Sequence, residues 1–381
     1  MKKSLVLLST ALMVGSVFGM SSCGEDVEYI EGNEVALVTD VGNIDDHSFN
    51  QATWEGCKDF SLANNVGTTY YRPGGDSTDE RVTSIENAID AGAKVVVMPG
   101  YLFNSSIKLV QDKYPNVDFL GIDCDNSDDD NGYTPYEFKD NVTSIKYEED
   151  QAGFLAGYAA VAEGYRKLGF CGGMAVPAVV KYGQGFIKGA DQAAGVLGLA
   201  DGAIKIEYWY SGTFAPDSSI VTKVGGWYSS GTEVVFSCGG GIYSSVVQAA
   251  ENENSTLGNK SKKVIGVDVD QHKDSDLIIT SAMKNLRLSV SSYLTSLYAN
   301  DMTWGTIDGK ETAGEIVTKG VDTESVGLPT DSESWLMENF TVEDYNELYA
   351  KLKSGEISGD VDDTTNLYTN PTAKVVVTVE A

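Results

Sequence analysis

The sequence predicts an α/β protein of two lobes, each a parallel sheet flanked by helices, arranged as a clamshell. With 381 residues the chain is long for a single hydrophobic core. From residue 34 onward, short apolar runs with β-branched residues alternate with helical patterns, which is typical of parallel βαβ units. The alternation is interrupted once by an acidic loop and then restarts, so we expect two similar lobes.

The N-terminus has the pattern of a secretory signal, because basic residues precede an apolar run at residues 5–20. That run is too short and too early for a comfortable membrane span. It stops at two serines and Cys23, which resembles the lipobox where bacteria cleave the signal and attach lipid to cysteine. We expect a signal peptide at residues 1–22, a lipidated tether at residues 23–33, and a membrane-anchored protein facing outside the cytoplasm, in the periplasm or at the cell surface. A plain signal peptide with an incidental cysteine is the alternative.

The first βα series begins at residue 34. Its expected strands are residues 35–39, 94–98 and 118–122, and its expected helices are residues 48–62 and 78–91. Short apolar runs of this kind are typical of strands buried on both faces of a parallel sheet. The acidic stretch at residues 123–141 predicts a long loop.

The second series repeats the pattern after that loop. Helices are expected at residues 147–164, 183–197, 218–229 and 243–252, and strands at residues 167–171, 204–210, 233–237 and 263–267. The tail has apolar residues at helical spacing between Tyr345 and Leu352 and ends in a β-rich run at residues 373–379.

The chain is expected to pass between the lobes more than once. A strand at residues 277–281 and a helix at residues 285–299 follow the second series, and their simplest place is back beside the first lobe. The first lobe then comprises residues 34–143 plus about 274–305, and the second comprises residues 144–273 plus about 306–381. Two independent domains joined near Asn141 are the alternative.

Composition limits the partners and cofactors that can be expected for the protein. The formal net charge of −29 disfavours nucleic acid as a partner. Four cysteines follow Cys23 without metal-ligand or CxxC spacing, so buried free thiols are expected, with a disulfide left open: Cys57, Cys124, Cys171 and Cys238. The two histidines, His47 and His272, form no metal-ligand pair. We therefore expect no metal and no cofactor.

The most informative segment is residues 38–51, where a strand ends at Asp40 and a Gly-containing loop leads to a helix whose first turn presents Phe49. In open α/β sheets, ligands bind in the crevice at the carboxyl ends of strands. A carboxylate beside an aromatic ring suits a flat heterocycle with N–H donors on its edge. Alternatively, Phe49 is a core residue and Asp40 a turn former.

This segment resembles the opening motif of the basic membrane lipoprotein family. Further similar segments follow in order at residues 148–157, 168–174, 181–182 with 185–189, and 266–271 with 280–284. The resemblance implies a type I periplasmic-binding-protein-like fold and a lipid-anchored substrate-binding protein of an ABC importer. Its partners would be a transporter permease and a purine nucleoside such as adenosine, guanosine or inosine, held between the lobes without catalysis.

The resemblance also implies a set of ligand-binding residues. Asp40 would accept from the purine edge, and Phe49 and Phe214 would sandwich the ring. Asp123 and Asp268 would accept from sugar hydroxyls, with Lys284 hydrogen-bonding the sugar and offsetting their charge, and Gly240 would allow close backbone approach. Three further positions complete the set, namely Asn50, Asn104 and Tyr182. Tyr182 stands where the family usually has Phe, and Asn104 aligns only loosely with a base-contacting position, so base selectivity stays open.

Other functions remain as alternatives. Within the same fold, riboflavin or another flat metabolite is the nearest rival ligand, and a surface adhesin or sensor is a second possibility. A nucleoside hydrolase would require clustered aspartates around a metal to activate water, whereas the aspartates here follow three different strands. The glycines at residues 183–189 lie within a predicted helix with the wrong spacing for a dinucleotide-binding loop.

Overall fold

The computed structural model describes residues 28–40, 42–361 and 371–380. The predicted signal peptide and Cys23 lie outside these residues. In chain order the strands are β1 (Glu31–Val38), β2 (Thr68–Tyr71), β3 (Val95–Pro99), β4 (Asp118–Ile122), β5 (Ser127–Asp128), β6 (Thr134–Pro135), β7 (Val142–Tyr147), β8 (Lys167–Gly172), β9 (Ile204–Tyr210), β10 (Val234–Cys238), β11 (Lys263–Asp268), β12 (Ile278–Lys284), β13 (Thr306–Ile307), β14 (Lys310–Glu311), β15 (Ile316–Lys319), β16 (Val326–Gly327) and β17 (Val375–Val379). The helices are α1 (Phe49–Asn64), α2 (Thr78–Asp90), α3 (Asn104–Gln111), α4 (Glu149–Glu163), α5 (Pro177–Val196), α6 (Ser218–Ser229), α7 (Tyr243–Leu257), α8 (Leu286–Ala299) and α9 (Val342–Lys353).

Two large sheets form the framework of two α/β lobes, as the alternation of strands and helices predicts. The first has the strand order β15-β7-β4-β3-β1-β2, and all of its pairings are parallel. The second has the order β16-β12-β11-β10-β8-β9-β17, and only the β12–β16 pairing is antiparallel. Central strands such as β3 are buried at every position, which explains their continuous apolar runs.

The chain crosses between the sheets three times: β7 of the first sheet leads into α4, β12 of the second leads into α8, and β15 of the first leads to β16 of the second. Helix α4 packs chiefly on α5 in the second lobe, and α8 packs on α1 in the first. Two independent domains in tandem would be joined by one crossing. Three adjacent crossings instead produce a hinge between the lobes.

Two strands lie in a different sheet from the one expected. Strand β12 pairs with β11 in the second sheet, although residues 277–281 were expected beside the first lobe. Strand β15 pairs with β7 in the first sheet, although residues 306–381 were expected in the second lobe. The expected return of helix 285–299 to the first lobe agrees with the packing of α8 on α1. An apolar run shows that a strand is buried, but not which of two sheets provides its neighbours.

Glycines set the contact between α4 and α5. A Cβ added to Gly157 would lie 2.0 Å from the carbonyl oxygen of Phe186, and one on Gly189 would lie 1.9 Å from that of Phe154. Gly153 and Gly185 are equally restricted by backbone oxygens of the opposite helix. The glycines at residues 183–189 therefore serve helix packing, with the backbones at close range. This packing positions the start of α4 and the middle of α5, both of which reach the cleft between the lobes.

The described cysteines are all free and buried: Cys57, Cys124, Cys171 and Cys238. Burial raises the pKa of the Cys171 thiol to about 12, which keeps it protonated and unreactive. In the part of the chain that the structure describes, no helix is long and apolar enough to cross a membrane.

Candidate functional site

A cavity lies between the lobes at the carboxyl ends of strands from both sheets. Its space, including the open mouth, is about 630 Å³. Nine of the ten residues implied by the family resemblance line it, namely Asp40, Phe49, Asn50, Asp123, Tyr182, Phe214, Gly240, Asp268 and Lys284. Most of them lie at the ends of parallel strands or in the loops that follow, so the topology brings together side chains that are far apart in sequence.

Lys284, the last residue of β12, is the central cation of the cavity. Its Nζ lies 2.5 Å from Asp123 Oδ2, 3.4 Å from Glu149 Oε1 and 3.7 Å from Asp268 Oδ1. Burial alone would lower the pKa of Lys284, but the three carboxylates outweigh burial and raise it, so the ammonium stays protonated. The ammonium also lies 4.8 Å from the centre of the Phe49 ring, within cation–π distance.

The two aspartates beside Lys284 have unusual backbones. Asp123 and Asp268 adopt left-handed conformations, with φ of 57° and 65°, immediately at the ends of β4 and β11. Non-glycine residues seldom adopt this conformation, and such outliers concentrate at functional sites. Asp268 Oδ2 accepts a hydrogen bond of 2.7 Å from Ser48 Oγ of the opposite lobe. Asp123 Oδ1 is buried and has no hydrogen-bond partner among the described residues, so it can accept a ligand hydroxyl.

A second polar group surrounds Asn50. Its Nδ2 donates to Asp40 Oδ1 at 3.0 Å and to Asp46 Oδ2 at 3.1 Å. Asp46 also accepts from the backbone N–H groups of Ser48, Asn50 and Gln51, which orders the loop before α1. Burial raises the pKa of Asp46 to about 6 in spite of these donors, and it raises that of Asp40 as well.

The aromatic wall of the second lobe depends on glycines around Phe214. A Cβ on Gly173 would lie 2.5 Å from the Phe214 ring, and Gly240 adopts φ of 53° with a Cβ position 3.1 Å from Phe214 O. Gly241 N also donates to Phe214 O. The loop between β10 and α7 therefore packs closely against the backbone of Phe214, a role for Gly240 that the sequence did not reveal.

Asn104 is the one implied residue that does not line the cavity. It is fully buried, its Oδ1 accepts from Asp125 N at 2.7 Å, and its Nδ2 donates to Ser127 Oγ at 3.2 Å. One turn of 3₁₀ helix separates β3 from α3 and directs Tyr101 toward the cavity instead. The geometry therefore does not support the expected direct contact between Asn104 and a base.

Tyr101, Asp46 and Glu149 are site residues that sequence reasoning missed. Tyr101 follows β3 directly, and its hydroxyl donates to Asp129 Oδ1. Ligand-binding residues tend to lie at the carboxyl ends of parallel strands, and this rule, which predicted Asp40, could also have predicted Tyr101. Glu149, at the start of α4, is buried, and burial and the nearby Asp123 raise its pKa to about 7. Nothing in the local sequence distinguishes it from a residue that caps a helix.

The two histidines each lie against a carboxylate. Ser334 Oγ and Asp270 Oδ2 both lie against the same ring nitrogen, His272 Nδ1, at 3.0 and 2.9 Å. A nucleophile relay requires the serine and the carboxylate on opposite ring nitrogens. His47 Nδ1 lies 2.7 Å from Asp274 across the lobes. Among the described residues, no group of three or more His, Cys, Asp or Glu could hold a metal ion.

Solved structures share this fold. An ABC transporter solute-binding protein from Aeropyrum pernix K1 matches with a TM-score of 0.70 at 21% identity, covering 85% of this chain and 92% of that one. A solute-binding protein from Conexibacter woesei DSM 14684 matches with a TM-score of 0.63 at 20% identity, covering 85% and 97%. The fold is thus the two-lobed fold of solute-binding proteins.

The family follows from the sequence itself. The model of the Bmp family, PnrA-like ABC transporter substrate-binding proteins, matches residues 33–361, and the chain belongs to this family. One relative is the ABC transporter nucleoside-binding protein BmpA of Lactococcus lactis subsp. cremoris, with 28% identity over 95% of this chain and 99% of that protein. Another is basic membrane protein A1 of Borrelia garinii subsp. bavariensis, with 26% identity over 86% and 87%.

Proposed function

We propose that this substrate-binding protein captures purine nucleosides in the cleft between its lobes and delivers them to the permease of an ABC importer. The observation that carries the proposal is the buried set of Lys284, Asp123 and Asp268. The cation lies beside both carboxylates, and Asp123 Oδ1 has no donor in the part of the chain that the structure describes. Vicinal sugar hydroxyls can donate to both carboxylates while accepting from the ammonium. The Lactococcus lactis relative named as nucleoside-binding supports the same substrate class.

The base would lie beside this polar set, between aromatic side chains. Phe49 and Phe214 line the cavity from different lobes and suit the two faces of a purine, while Asp40 accepts from its edge. Neutral nucleosides also fit the charge of the cavity. Lys284 is the one cation among its described lining residues, which include four aspartates, so an added phosphate would be repelled.

Thermal unfolding with and without ligand tests this function, because a ligand that binds the native state raises its melting temperature. Inosine, guanosine or adenosine should raise it by several degrees at a concentration of about 100 times Kd, where the stabilisation is about 2.7 kcal/mol. Riboflavin should have no effect. A shift with riboflavin and none with any nucleoside would contradict the proposal, and mass spectrometry of copurified small molecules gives an independent answer.

We propose a binding role without catalysis. A hydrolase would release free base from inosine, which chromatography of the incubated mixture detects. The expected result is intact inosine after prolonged incubation with a stoichiometric amount of protein.

We also propose that lipid on Cys23 anchors the protein to the membrane, facing outside the cytoplasm. The proposal rests on the apolar segment that ends at that cysteine. Replacing Cys23 with Ser should release the protein from the membrane fraction and leave nucleoside affinity unchanged. Retention of the Cys23→Ser protein in the membrane fraction would contradict lipid anchoring at this residue.

A further inference from the structure

Lys284 is surrounded by three buried carboxyl groups, although one ammonium can balance only one of them. Its Nζ lies nearest to Asp123 Oδ2, at 2.5 Å, and the oxygens of Glu149 and Asp268 follow at 3.4 and 3.7 Å. All four side chains are buried. Three ionised carboxylates would leave an excess of two negative charges away from water, which is costly. One of the carboxyl groups is therefore expected to hold a proton when the lobes are closed.

Glu149 is the carboxyl group best suited to hold that proton. Its contact with Lys284 is longer than that of Asp123, and Lys181 of α5, the next cation, pairs with Glu148 at 3.0 Å instead. Burial and the Asp123 carboxylate raise the pKa of Glu149 to about 7, against the opposing effect of the two lysines. Weak pairing and burial thus both favour its neutral form.

The other titratable groups of the cluster have different surroundings. Asp123 and Asp268 face the cavity, where the hydroxyl groups of a nucleoside can donate to them. Glu149 is not among the described residues that line the cavity, so it acts on a ligand through Lys284. The phenols and the thiol nearby stay uncharged because burial raises the pKa of each, namely Tyr147, Tyr182 and Cys238.

Closure of the lobes changes the surroundings of Glu149. Helix α4 packs chiefly on α5 in the second lobe, and Lys284 ends β12 of the second sheet. Asp123 follows β4 of the first sheet, so its contact with Lys284 spans the cleft. In an open form the Asp123 carboxylate is withdrawn and water reaches Glu149, and both changes favour the ionised acid. Closing reverses both changes and favours the protonated acid.

We propose that Glu149 positions Lys284 and takes up one proton from the solvent when the lobes close on a ligand. This inference rests on the proposed function, which supplies the ligand. The proton adds to one carboxylate oxygen, and the neutral acid keeps its carbonyl oxygen as an acceptor for the ammonium. Lys284 then balances the two aspartates that receive the sugar. Capture of an uncharged nucleoside therefore depends on pH.

The direction of this dependence follows from the uptake of a proton. A group that holds its proton more tightly in the bound form gives full affinity at low pH, and affinity is lost as the pH rises through the pKa of the closed form. Inosine affinity should therefore fall about tenfold between pH 6 and pH 8. Titration calorimetry at pH 6.5 in two buffers of different ionisation enthalpy should show uptake of roughly half a proton or more per inosine.

Two substitutions at Glu149 separate the proton from the positioning of Lys284. Glu149→Gln cannot titrate but keeps an oxygen for the ammonium. It should bind inosine, take up roughly half a proton less, and show a fall between pH 6 and pH 8 that is about tenfold smaller. A small dependence should remain, since burial also raises the pKa of Asp46 to about 6. Glu149→Ala removes the oxygen too, so inosine affinity should be about tenfold lower than in Glu149→Gln at both pH values.

Asp150→Asn is the matched control. Asp150 is the next residue of α4, and burial raises its pKa to about 7 as well. Its Oδ2 accepts from Val361 N at 2.7 Å, and within the described residues it neither lines the cavity nor pairs with Lys284. The variant should keep the proton uptake and the pH dependence of the wild type.

The outcomes separate this inference from the proposed function. If none of inosine, guanosine and adenosine binds, both are wrong. Binding of inosine with equal proton uptake in the wild type and Glu149→Gln would overturn only the role of Glu149, as would an equal loss of uptake in Asp150→Asn. Equal affinity of Glu149→Ala and Glu149→Gln would overturn the positioning of Lys284.

Infrared difference spectroscopy of the wild-type protein decides if Glu149→Gln does not fold, as judged by circular dichroism. A carboxylic acid band should appear when inosine binds at pH 6.5, and it should shift when the protein is made with isotopically labelled glutamate. Absence of such a band would overturn proton uptake by Glu149.

Discussion

At the scale of single residues, Asp123 and Asp268 combine left-handed backbones with buried carboxylates on either side of Lys284. Each conformation is sparsely populated for a residue other than glycine, so the surrounding fold must maintain it. Asp123 belongs to the first sheet and Asp268 to the second, and Lys284 contacts both. Closure of the lobes therefore assembles this part of the site.

Replacing Asp268 with Ala tests the proposed recognition of the sugar. A charged acceptor bonded to a neutral donor contributes about 1.5–3 kcal/mol, so inosine affinity should fall roughly ten- to a hundredfold. Hypoxanthine lacks the sugar and should bind almost as well as to the wild type. Calorimetric titration with both ligands measures the effect. Equal losses would mean that Asp268 supports the fold or the closed form, for instance through its bond from Ser48 Oγ.

Asp118, at the start of β4, makes stability depend on pH. Burial raises its pKa from 3.8 to about 7. An acid with a raised pKa in the folded state contributes stability that is present below its unfolded pKa and is lost as the pH rises through 7. Asp118→Asn should therefore raise the melting temperature at pH 8 by about 1–3 °C and narrow the difference between pH 5 and pH 8.

Differential scanning fluorimetry at both pH values measures this change. Asp201→Asn is the matched control, because Asp201 is exposed in a turn. It should leave the difference between pH 5 and pH 8 unaltered. The difference should not vanish in Asp118→Asn, since burial also raises the pKa of Asp46 to about 6 and that of Glu149 to about 7. An identical response of the two variants would contradict the assignment to Asp118.

At the scale of elements, the contact between α4 and α5 connects the fold to the cavity. Glycines on both helices allow backbone-to-backbone approach, and the same helices carry Glu149 and Tyr182. Tyr182 is buried, its hydroxyl donates to Ala282 O at 3.3 Å, and its ring lies 5.5 Å from Lys284 Nζ. A change in the separation of these helices therefore moves residues that line the site.

Gly157→Ala should destabilise the protein by about 2–4 kcal/mol, because the new methyl group would overlap the backbone of α5 and force the helices apart. Gly195→Ala is the control within α5. Gly195 is exposed, nothing lies within 4 Å of an added Cβ, and alanine is favoured there by about 0.5–1 kcal/mol. Unfolding in urea measures the free energy of unfolding of both variants. Equal stability of the two variants would show that the helices separate freely.

At the scale of the whole molecule, a few polar contacts join the lobes beyond the hinge. Ser48 Oγ donates to Asp268, Gln271 Nε2 donates to His47 O, and His47 Nδ1 pairs with Asp274 Oδ1. These contacts lie between the loop that precedes α1 and the segment that follows β11. They stabilise a closed form in addition to any contribution from a ligand.

The double variant Ser48→Ala/Asp274→Asn should shift the ligand-free protein toward open forms. Small-angle scattering should show a larger radius of gyration that returns to the wild-type value when ligand is added. Each lost bond is worth about 0.5–1.5 kcal/mol, so the two losses together should lower ligand affinity by about 5- to 100-fold. Ser229→Ala/Asp276→Asn removes contacts confined to the second lobe and away from the cavity, and it should change neither quantity. A similar change in both double variants would argue against closure by these bonds.

Much of the cavity could be predicted because parallel strands end at one edge of a sheet. Asp40, Asp123 and Asp268 each follow a short apolar run, and that pattern can be recognised in the amino-acid sequence. Asn104 and Gly240 show the limit of this rule. Both come soon after strands, yet one 3₁₀ turn directs Asn104 into a buried loop network, and Gly240 packs against the backbone of Phe214. Sequence position could not distinguish these roles because a single turn reverses the direction of a side chain.

The sequence by itself determined the α/β class and the two-lobed plan, since these depend on local periodicity. It indicated most of the residues at the cleft through the resemblance to a known family, with Asp40 and Phe49 also expected from the end of the first strand. The tertiary structure alone decided that β12 joins the second sheet and β15 the first, because pairing between strands is a long-range choice. It also decided the ionic partners of Lys284. Asp123, Glu149 and Asp268 come from three separate segments, and their distances to one ammonium depend on how the two sheets meet at the hinge.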